Sequence, residues 1–348
     1  MESRSTGAGA HNLITDVAGL SVGQAEDARV RTGVTVILPD RSAICACDVR
    51  GGGPGTRETD ALAPENLVDA VDAVVLSGGS VYGLAAADGV AAWLGAQGRG
   101  YALVATPGAP PSPIVPAAIL YDLANGGDKA WGLEPPYRRL GQAAAEAAAG
   151  AFALGTAGAG FGAMAGTLKG GTGSASVVTA DGITVAALVC VNSYGSVTAP
   201  GGRTFWAAPY ELHSEFGGLG SAGLRAAPED WGRAKGPPSA AEAGARQNTT
   251  IACVATDVAL TPAQARRVAI MAQDGLARAV RPAHAPFDGD VVFALSTARI
   301  PLAEPAQRAV ARIGALAADC LARAIARGVH AATPWTAAGP LCWRDLAD

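Results

Sequence analysis

The feature that most constrains the fold is a series of short runs that are apolar at alternate and at consecutive positions. These runs cover residues 34–38, 43–47, 71–76, 102–105, 183–191, 250–258 and 291–296. A strand that is apolar on both faces belongs in a sheet that is covered on both sides. Helix-like runs alternate with these strands, so the sequence predicts an α/β (α+β) fold.

Helices are indicated most clearly towards the C-terminal end. The run Thr261-Pro262-Ala263-Gln264 combines an N-cap, a proline at the first helical position and a glutamine three residues after the cap. This capping box predicts a helix that continues to about Ala279. A second helix is predicted from about Pro305, with Gly328 as its C-terminal cap. Two further Ala-rich helices are predicted over residues 84–96 and 140–154.

The balance of residue types excludes several classes of protein. Only 16% of the 348 residues are charged and the net charge is -4, which leaves no basic field for nucleic acid or an anionic membrane. So few charges predict that another subunit covers part of the surface, in a homo-oligomer. The scattered cysteines and histidines lack metal-ligand spacing, and we expect reduced thiols in a cytoplasmic protein without a metal or other cofactor. Neither a signal peptide nor a membrane segment is expected.

One stretch breaks the alternation of strands and helices within what we predict to be a single domain, residues 1–348. Residues 217–247 are rich in glycine, proline and alanine and show little periodicity, which predicts a flexible segment. A structureless run of this length inside a domain requires a functional explanation. The N-terminal residues up to Thr15 are predicted to be a loose tail.

The junction Asn248-Thr249-Thr250 follows the flexible segment and opens a buried strand. The Thr249 hydroxyl could attack the Asn248 carbonyl, shift the acyl group from nitrogen to oxygen and, after ester hydrolysis, leave Thr249 as a new N-terminus. Its α-amine, with a reference pKa near 7.7–8.0, would then serve as the base for its own hydroxyl. A loop that enters a strand with surface threonines explains the same residues, and the residues alone leave both readings open.

Two aspartates stand at the mouth of another predicted strand. Asp288 and Asp290 are two residues apart, so an extended backbone points both carboxylates to one face. Such a pair shares a proton readily and could orient a protonated amine or bind a nucleophile. An Asp-Gly turn that opens a strand is the alternative.

Two further polar residues lie in apolar surroundings. Lys169, in a glycine-rich run, could stabilise developing negative charge, or it is an ordinary exposed lysine. Asn192 ends a strong strand, and its amide could donate to an oxyanion, or it simply opens a turn.

Ser80 is a competing nucleophile. It follows a strand in the run Leu76-Ser77-Gly78-Gly79-Ser80-Val81-Tyr82-Gly83, which is similar to a nucleophile elbow except that Tyr82 stands where the last glycine is required. A serine hydrolase of this kind needs a later histidine, for which His284 and His330 are the candidates. A tight turn that packs a helix on a sheet accounts for the same glycines.

Together, several motifs carry a family resemblance. They are Gly19-Leu20-Ser21-Val22-Gly23, LSGGSVYGLAAADGV from Leu76, Ile119-Leu120-Tyr121-Asp122-Leu123, Lys169-Gly170-Gly171, Val191-Asn192, Asn248-Thr249-Thr250-Ile251, and Arg281-Pro282-Ala283-His284 leading into DGDVVFALST. On these residues the chain resembles the DmpA-type family of self-processing aminopeptidases, which includes L-aminopeptidase/D-esterases, β-peptidyl aminopeptidases and nylon-oligomer hydrolases.

The resemblance implies a four-layer αββα sandwich similar to that of N-terminal-nucleophile hydrolases, with different strand connectivity. It also implies self-cleavage into a larger chain, 1–248, and a smaller chain, 249–348, and a homo-oligomer of this two-chain unit. By motif, Thr249 is the nucleophile and Asn192 the oxyanion donor. Lys169 and Tyr121 are supporting polar groups, and Asp288 and Asp290 are the carboxylate pair.

The implied substrate stays open between two classes. A threonine nucleophile with two aspartates looks like the branch that hydrolyses nylon (6-aminohexanoate) oligomers internally. The segments around Lys169 and His284 look like aminopeptidases that act on small peptides and amides. A serine hydrolase built on Ser80 and a processed binding protein without activity are the alternatives from other classes.

Overall fold

The computed structural model describes residues 5–102, 104, 107–236, 248–336 and 339–347. Its strands are β1 (Leu20–Asp27), β2 (Thr32–Pro39), β3 (Ala43–Val49), β4 (Thr56–Arg57), β5 (Ala70–Val71), β6 (Val74–Ser77), β7 (Ala117–Ile119), β8 (Met164–Ala165), β9 (Leu168–Lys169), β10 (Gly171–Val178), β11 (Thr184–Asn192), β12 (Thr249–Val258) and β13 (Val291–Ile300). Its α-helices are α1 (Ala86–Ala96), α2 (Tyr137–Glu146), α3 (Pro262–Ala279) and α4 (Ala306–His330).

Two sheets form the centre of the protein. One has the strand order β10-β11-β12-β13-β3-β5 and the other β1-β2-β6-β7-β4, while β8 and β9 form a small ribbon. Alternate residues of β12 face opposite sides, as a strand with apolar faces requires. Ile251 and Cys253 enter a core shared with Ile37 and Leu76 of the other sheet, whereas Val254 faces the core that contains α3 and α4.

The helices cover the outer faces of the two sheets. The six-stranded sheet packs against α3 and α4, and the five-stranded sheet packs against α1 and α2. The order of layers is therefore helix, sheet, sheet, helix, which is the four-layer αββα sandwich that the family resemblance implies. Among the helices that the described residues form, none combines the length and apolar character that crossing a membrane requires.

The helix prediction is confirmed at α3, whereas the C-terminal ends of α2 and α4 differ from those predicted. Thr261 and Gln264 form the reciprocal capping box of α3, with hydrogen bonds of 3.3 and 2.9 Å. In α4, Gly328 lies inside the helix instead of capping it, since α4 continues to His330. A Cβ on Gly328 would lie 2.8 Å from the backbone nitrogen of Gly173, so this glycine allows α4 to approach β10 closely.

Three local predictions are corrected. The helix predicted over 140–154 ends at Glu146, because Ala149 then forms two backbone hydrogen bonds with Val22 at the edge of β1. The N-terminal region is not loose from Gly7 onward: Gly7 pairs with Val178, and Ile14 is fully buried. In the strand predicted over 102–105, Ala102 belongs to no strand, and residues 103 and 105 lie outside the described residues.

The segment predicted to be flexible is described only over residues 217–236. These residues form turns, bends and one short bridge, and most of them are exposed. Residues 237–247 lie outside the described residues, so the flexibility of the segment stays a prediction.

Candidate active site

The register of the six-stranded sheet brings the candidate residues together at one end of the neighbouring strands β11, β12 and β13. Thr249 is the first residue of β12 and stands opposite Asn192, the last residue of antiparallel β11. Strand β13 runs parallel to β12 with Val291 opposite Ile251, so the residues that precede β13 lie at the same end of the sheet as Thr249. This register places Asp288 and Asp290 beside the junction that the sequence singles out, and Asn248 forms a bridge with Asp288.

The Asn248–Thr249 junction is buried, and its peptide carbonyl is contacted from two sides. The Thr249 hydroxyl Oγ1 donates to the carbonyl oxygen of Asn248, and the backbone N–H of Gly289 donates to the same oxygen at 3.1 Å. A nucleophile therefore lies next to the carbonyl group it would attack. The Gly289 N–H points at the oxygen on which negative charge would develop.

The two aspartates are held by different partners. Asp290 accepts hydrogen bonds from the backbone N–H groups of Thr250 and His284, at 2.8 and 3.1 Å, and its Oδ2 lies 2.8 Å from His284 Nδ1. Asp288 accepts from the backbone N–H groups of Tyr194 and Ala285, at 3.2 and 3.1 Å.

Burial, reinforced by the negative charge of Asp290, raises the pKa of Asp288 to about 7. The two aspartates predicted from their spacing lie together beside the start of β12, and the charge of Asp290 contributes to the raised pKa of Asp288.

Asn192 and Tyr121 are joined by a hydrogen bond. The Asn192 amide nitrogen Nδ2 donates to the backbone oxygen of Tyr121 at 2.9 Å, while Asn192 Oδ1 accepts from the backbone N–H of Met164 at 2.9 Å. Both contacts fix the plane of the amide at the end of β11. There Asn192 is paired with Thr249 on the adjacent strand. Tyr121 contributes its backbone oxygen to this arrangement.

Lys169 is fully buried and donates to three backbone oxygens, those of Gly160, Ala163 and Gly170, at 3.1, 3.1 and 2.7 Å. Burial lowers the pKa of its ammonium group to about 7. The alternative interpretation, an ordinary exposed lysine, is therefore wrong. Ala163 directly precedes Met164, whose N–H donates to Asn192. Lys169 therefore supports the loop that orients the Asn192 amide.

Lys235 is a site residue that sequence reasoning missed, as is Gly289, whose backbone N–H contacts the Asn248 carbonyl. Lys235 is half-buried, and its Nζ donates to the side-chain oxygen Oδ1 of Asn248 at 2.7 Å. Desolvation lowers the pKa of its ammonium group, against the opposing effect of the Asp288 charge. The available signals were the scarcity of lysine, which occurs only at Lys129, Lys169 and Lys235, and the position of Lys235 shortly before the junction.

A small cleft adjoins these groups. Its volume is about 130 Å³, and Tyr121, Met164, Asn192 and Lys235 contribute to its lining together with Asp122. Asp122 is buried, and its carboxylate accepts from the backbone N–H of Gly79 at 2.8 Å and from the Thr32 hydroxyl at 2.6 Å. Burial raises the pKa of Asp122 to about 6.

The turn at Gly78 and Gly79 forms around the carboxylate of Asp122. A Cβ on Gly78 would lie 2.2 Å from Asp122 Oδ2, so a side chain at this position would displace the carboxylate. Ser80 opens a short 3₁₀ helix after this turn, with a φ of 53°. The glycine run is therefore explained by packing around Asp122.

The two histidines of the serine-hydrolase alternative have other partners. The His284 ring contacts Asp290, and the His330 ring lies against Trp343 with a centroid separation of 4.7 Å. Ser80 lies beyond β6 in the five-stranded sheet, whereas His330 ends α4 on the outer face of the six-stranded sheet.

Comparison with known proteins gives concordant matches over almost the whole chain. The sequence pattern of peptidase family S58 matches residues 12–340. An uncharacterized aminopeptidase of Mycobacterium bovis is 45% identical over 96% of this chain and 98% of its own length. A 6-aminohexanoate-oligomer endohydrolase of Agromyces sp. is 31% identical over 86% of this chain and 78% of its own length.

A solved structure supports the fold. The L-aminopeptidase D-Ala-esterase/amidase from Ochrobactrum anthropi, described as a variant of the Ntn hydrolase fold, has a TM-score of 0.66. The match covers 94% of this chain and 90% of that chain at 22% identity, a level of likeness that bears on fold alone.

Proposed function

The chain belongs to peptidase family S58, whose members hydrolyse peptide or amide bonds, and we propose that it becomes active by cleaving itself between Asn248 and Thr249. The family predicted from the sequence motifs is thereby confirmed. The observation that carries the proposal is the pair of contacts on the Asn248 carbonyl, from the Thr249 hydroxyl and from the Gly289 N–H.

Self-cleavage proceeds by transfer of the acyl group from nitrogen to oxygen. Thr249 Oγ1 attacks the carbonyl carbon of Asn248, and the Gly289 N–H stabilises the oxyanion that forms on the carbonyl oxygen. The carbon–nitrogen bond breaks, and the hydroxyl proton ends on the released amine of Thr249. Water then hydrolyses the ester, which leaves chain 1–248 with a carboxylate on Asn248 and chain 249–348 with a free N-terminal threonine.

The new N-terminus supplies both nucleophile and base for substrate. The α-amine of Thr249, with a reference pKa near 7.7–8.0, takes the proton of its own hydroxyl as that hydroxyl attacks the substrate carbonyl. We assign the amide of Asn192, across the sheet from Thr249, as the donor to the substrate oxyanion. Lys169 and Tyr121 support Asn192 through the contacts described above.

The carboxylate pair gives the site its preference for amines. Asp290 binds the backbone N–H of Thr250, one residue from the new N-terminus, and Asp288 lies beside Asn248. A protonated amine, whether of Thr249 or of a substrate, is attracted to this pair. We therefore propose that the protein is an aminopeptidase that releases N-terminal residues from small peptides and amides, without a metal or other cofactor.

The relatives named above favour this substrate class and provide one alternative. The relative called an aminopeptidase is 45% identical over 96% of the chain, whereas the 6-aminohexanoate-oligomer endohydrolase is 31% identical over 86% of it. Internal hydrolysis of polyamide oligomers is thus the second candidate. A cytoplasmic homo-oligomer of the two-chain unit stays a prediction.

The test compares two amide substrates on the cleaved enzyme. Aminoacyl p-nitroanilides should be hydrolysed with a higher kcat/KM than 6-aminohexanoate oligomers, and N-acetylation of the anilides should abolish the reaction because it removes the amine. Thr249→Ala should be inactive on both. Preference for the oligomers, or indifference to N-acetylation, would favour the second candidate.

A labelling experiment separates the enzyme from the two other classes. A serine- or threonine-directed electrophile should modify the N-terminal Thr249 of the smaller chain. A cleaved protein that resists labelling and hydrolyses neither substrate would be a processed binding protein. Labelling at Ser80 in an uncleaved chain would indicate a serine hydrolase.

A further inference from the structure

Lys235 is a half-buried lysine beside the junction that the mechanism above does not use. Its side chain points at the cleavage site, where Nζ donates to Asn248 Oδ1 at 2.7 Å, and it lines the small cleft beside Tyr121 and Asn192. Asp288 is the acidic group whose charge acts on it. Lys235 belongs to the larger chain and therefore remains when the junction is cut.

The position of Lys235 is fixed by contacts that do not involve Asn248. Its backbone N–H donates to the oxygen of Tyr194 at 2.9 Å, and the oxygen of Arg233 accepts from the N–H of Thr167 at 2.8 Å. The ring of Tyr194 packs edge-on against Trp231 and Phe287, with centroid separations of 6.4 and 4.5 Å. The lysine therefore keeps its place after Asn248 leaves the site.

Asn248 shows where an acyl group lies when it reacts with Thr249. In self-cleavage, Asn248 is the acyl donor, and in catalysis the acyl residue of the substrate must present its carbonyl carbon to the same hydroxyl. A substrate residue that enters this position places its side chain where the Asn248 side chain lies, and its carbonyl oxygen then meets the Gly289 N–H as well as the Asn192 amide. The Oδ1 position of Asn248, three bonds from Cα, is the position that Lys235 contacts.

We propose that Lys235 is a specificity-determining residue that selects substrates whose N-terminal residue carries a side-chain oxygen at this position, namely asparaginyl and aspartyl amides. The inference rests on the proposed function, since it needs Thr249 to be the nucleophile in both reactions. A leucyl side chain has the same branching without the acceptor, so the hydrogen bond from Lys235 is lost. The same contact holds Asn248 in place for self-cleavage.

The first experiment is a double-mutant cycle on self-cleavage. Cell-free synthesis of the full chain, followed by intact mass against time, gives the cleavage rates of wild type, Lys235→Met, Asn248→Leu and the double variant. Each single variant should cleave about 10-fold more slowly, the size expected for a lost charge-assisted hydrogen bond. The double variant should be no slower than either single one. A double variant that cleaves about 100-fold more slowly than wild type would show that the two substitutions act independently. That result would contradict a direct interaction between Lys235 and Asn248.

The second experiment measures selectivity after cleavage is complete, as verified by mass. Wild type should hydrolyse asparaginyl p-nitroanilide about 10-fold better in kcat/KM than the leucyl compound, and Lys235→Met should bring this ratio close to one. Arg225→Met, which removes an exposed cation from the same segment, is the matched control and should keep the wild-type ratio.

Two outcomes of the second experiment distinguish this inference from the proposed function. A wild-type ratio near one, or an unchanged ratio in Lys235→Met, overturns the role of Lys235 while self-cleavage and activity stand. Because the wild-type ratio needs no variant, the inference is tested even where Lys235→Met fails to fold. A wild-type chain that never cleaves contradicts the proposed function itself.

Discussion

Gly289→Ala places a single methyl group against the nucleophile. A Cβ built on Gly289 would lie 2.7 Å from Thr249 Oγ1, 2.9 Å from the backbone oxygen of Gly53 and 3.3 Å from the Cα of Pro54. Ordinary contact begins at 3.4 Å, so the hydroxyl must move by about 0.7 Å. Alanine keeps the N–H that donates to the Asn248 carbonyl, and only the steric contact changes.

The expected result is slow self-cleavage in a folded chain. Misplacement of a reacting group by about 1 Å costs about 100-fold in rate, so we expect Gly289→Ala to cleave roughly 30- to 100-fold more slowly than wild type. Overpacking should lower the free energy of unfolding by about 1–3 kcal/mol.

The assay is intact mass against time after cell-free synthesis, with thermal unfolding as the measure of fold. Gly150→Ala is the matched control, because a Cβ at Gly150 has no neighbour within 4 Å, and it should cleave like wild type. Cleavage of Gly289→Ala at the wild-type rate would refute the placement of Thr249 Oγ1 against Gly289, and with it the geometry assigned to the attack.

Three further substitutions test other parts of the site. Asn192→Ala should lower kcat about 100-fold or more on aminoacyl p-nitroanilides if its amide stabilises the oxyanion, and an unchanged kcat would exclude that role. Lys169 has a pKa of about 7 when buried and 10.5 in the unfolded chain, so the unfolded state binds more protons between these values and stability rises with pH there. Between pH 7 and 9 the free energy of unfolding of wild type, measured by chemical denaturation, should therefore rise by about 2 kcal/mol more than that of Lys169→Met. Equal pH dependence of the two chains would contradict the burial of the charge. Ser80→Ala should self-cleave and hydrolyse anilides like wild type, whereas loss of activity in a folded variant would revive the serine-hydrolase alternative.

The layers of the fold follow from residue patterns that a sequence displays directly. Residues 250–258 are apolar on both faces, which requires cover on both sides, and the structure provides a second sheet on one face and two helices on the other. Strand β10 escaped prediction because Gly171 and Gly173 have low strand propensity. The backbone of α4 lies so close to this strand that a Cβ on Gly173 would fall 1.9 Å from the oxygen of Ala324.

The site could be predicted only as far as its motifs extend. Thr249, Asn192 and the aspartates stand in recognisable runs, and the sheet register brings them together. The contact of Lys235 with Asn248 depends on how residues 231–235 pack against the rest of the protein. They do so through backbone hydrogen bonds and aromatic contacts, which produce no periodic pattern in the sequence. The partners that distinguish Asp288 from Asp290 are likewise backbone N–H groups, which every sequence contains.

The proposed mechanism requires that Thr249 of an intact precursor cuts the chain at its own N-terminal side. Intact mass spectrometry of the purified protein tests it most directly, with Thr249→Ala measured in parallel. We expect two fragments from wild type, one ending at Asn248 and one beginning at Thr249, and a single full-length chain from the inactive variant. A wild-type protein that hydrolyses amides as one full-length chain, or a Thr249→Ala chain that still divides at this peptide bond, would contradict it.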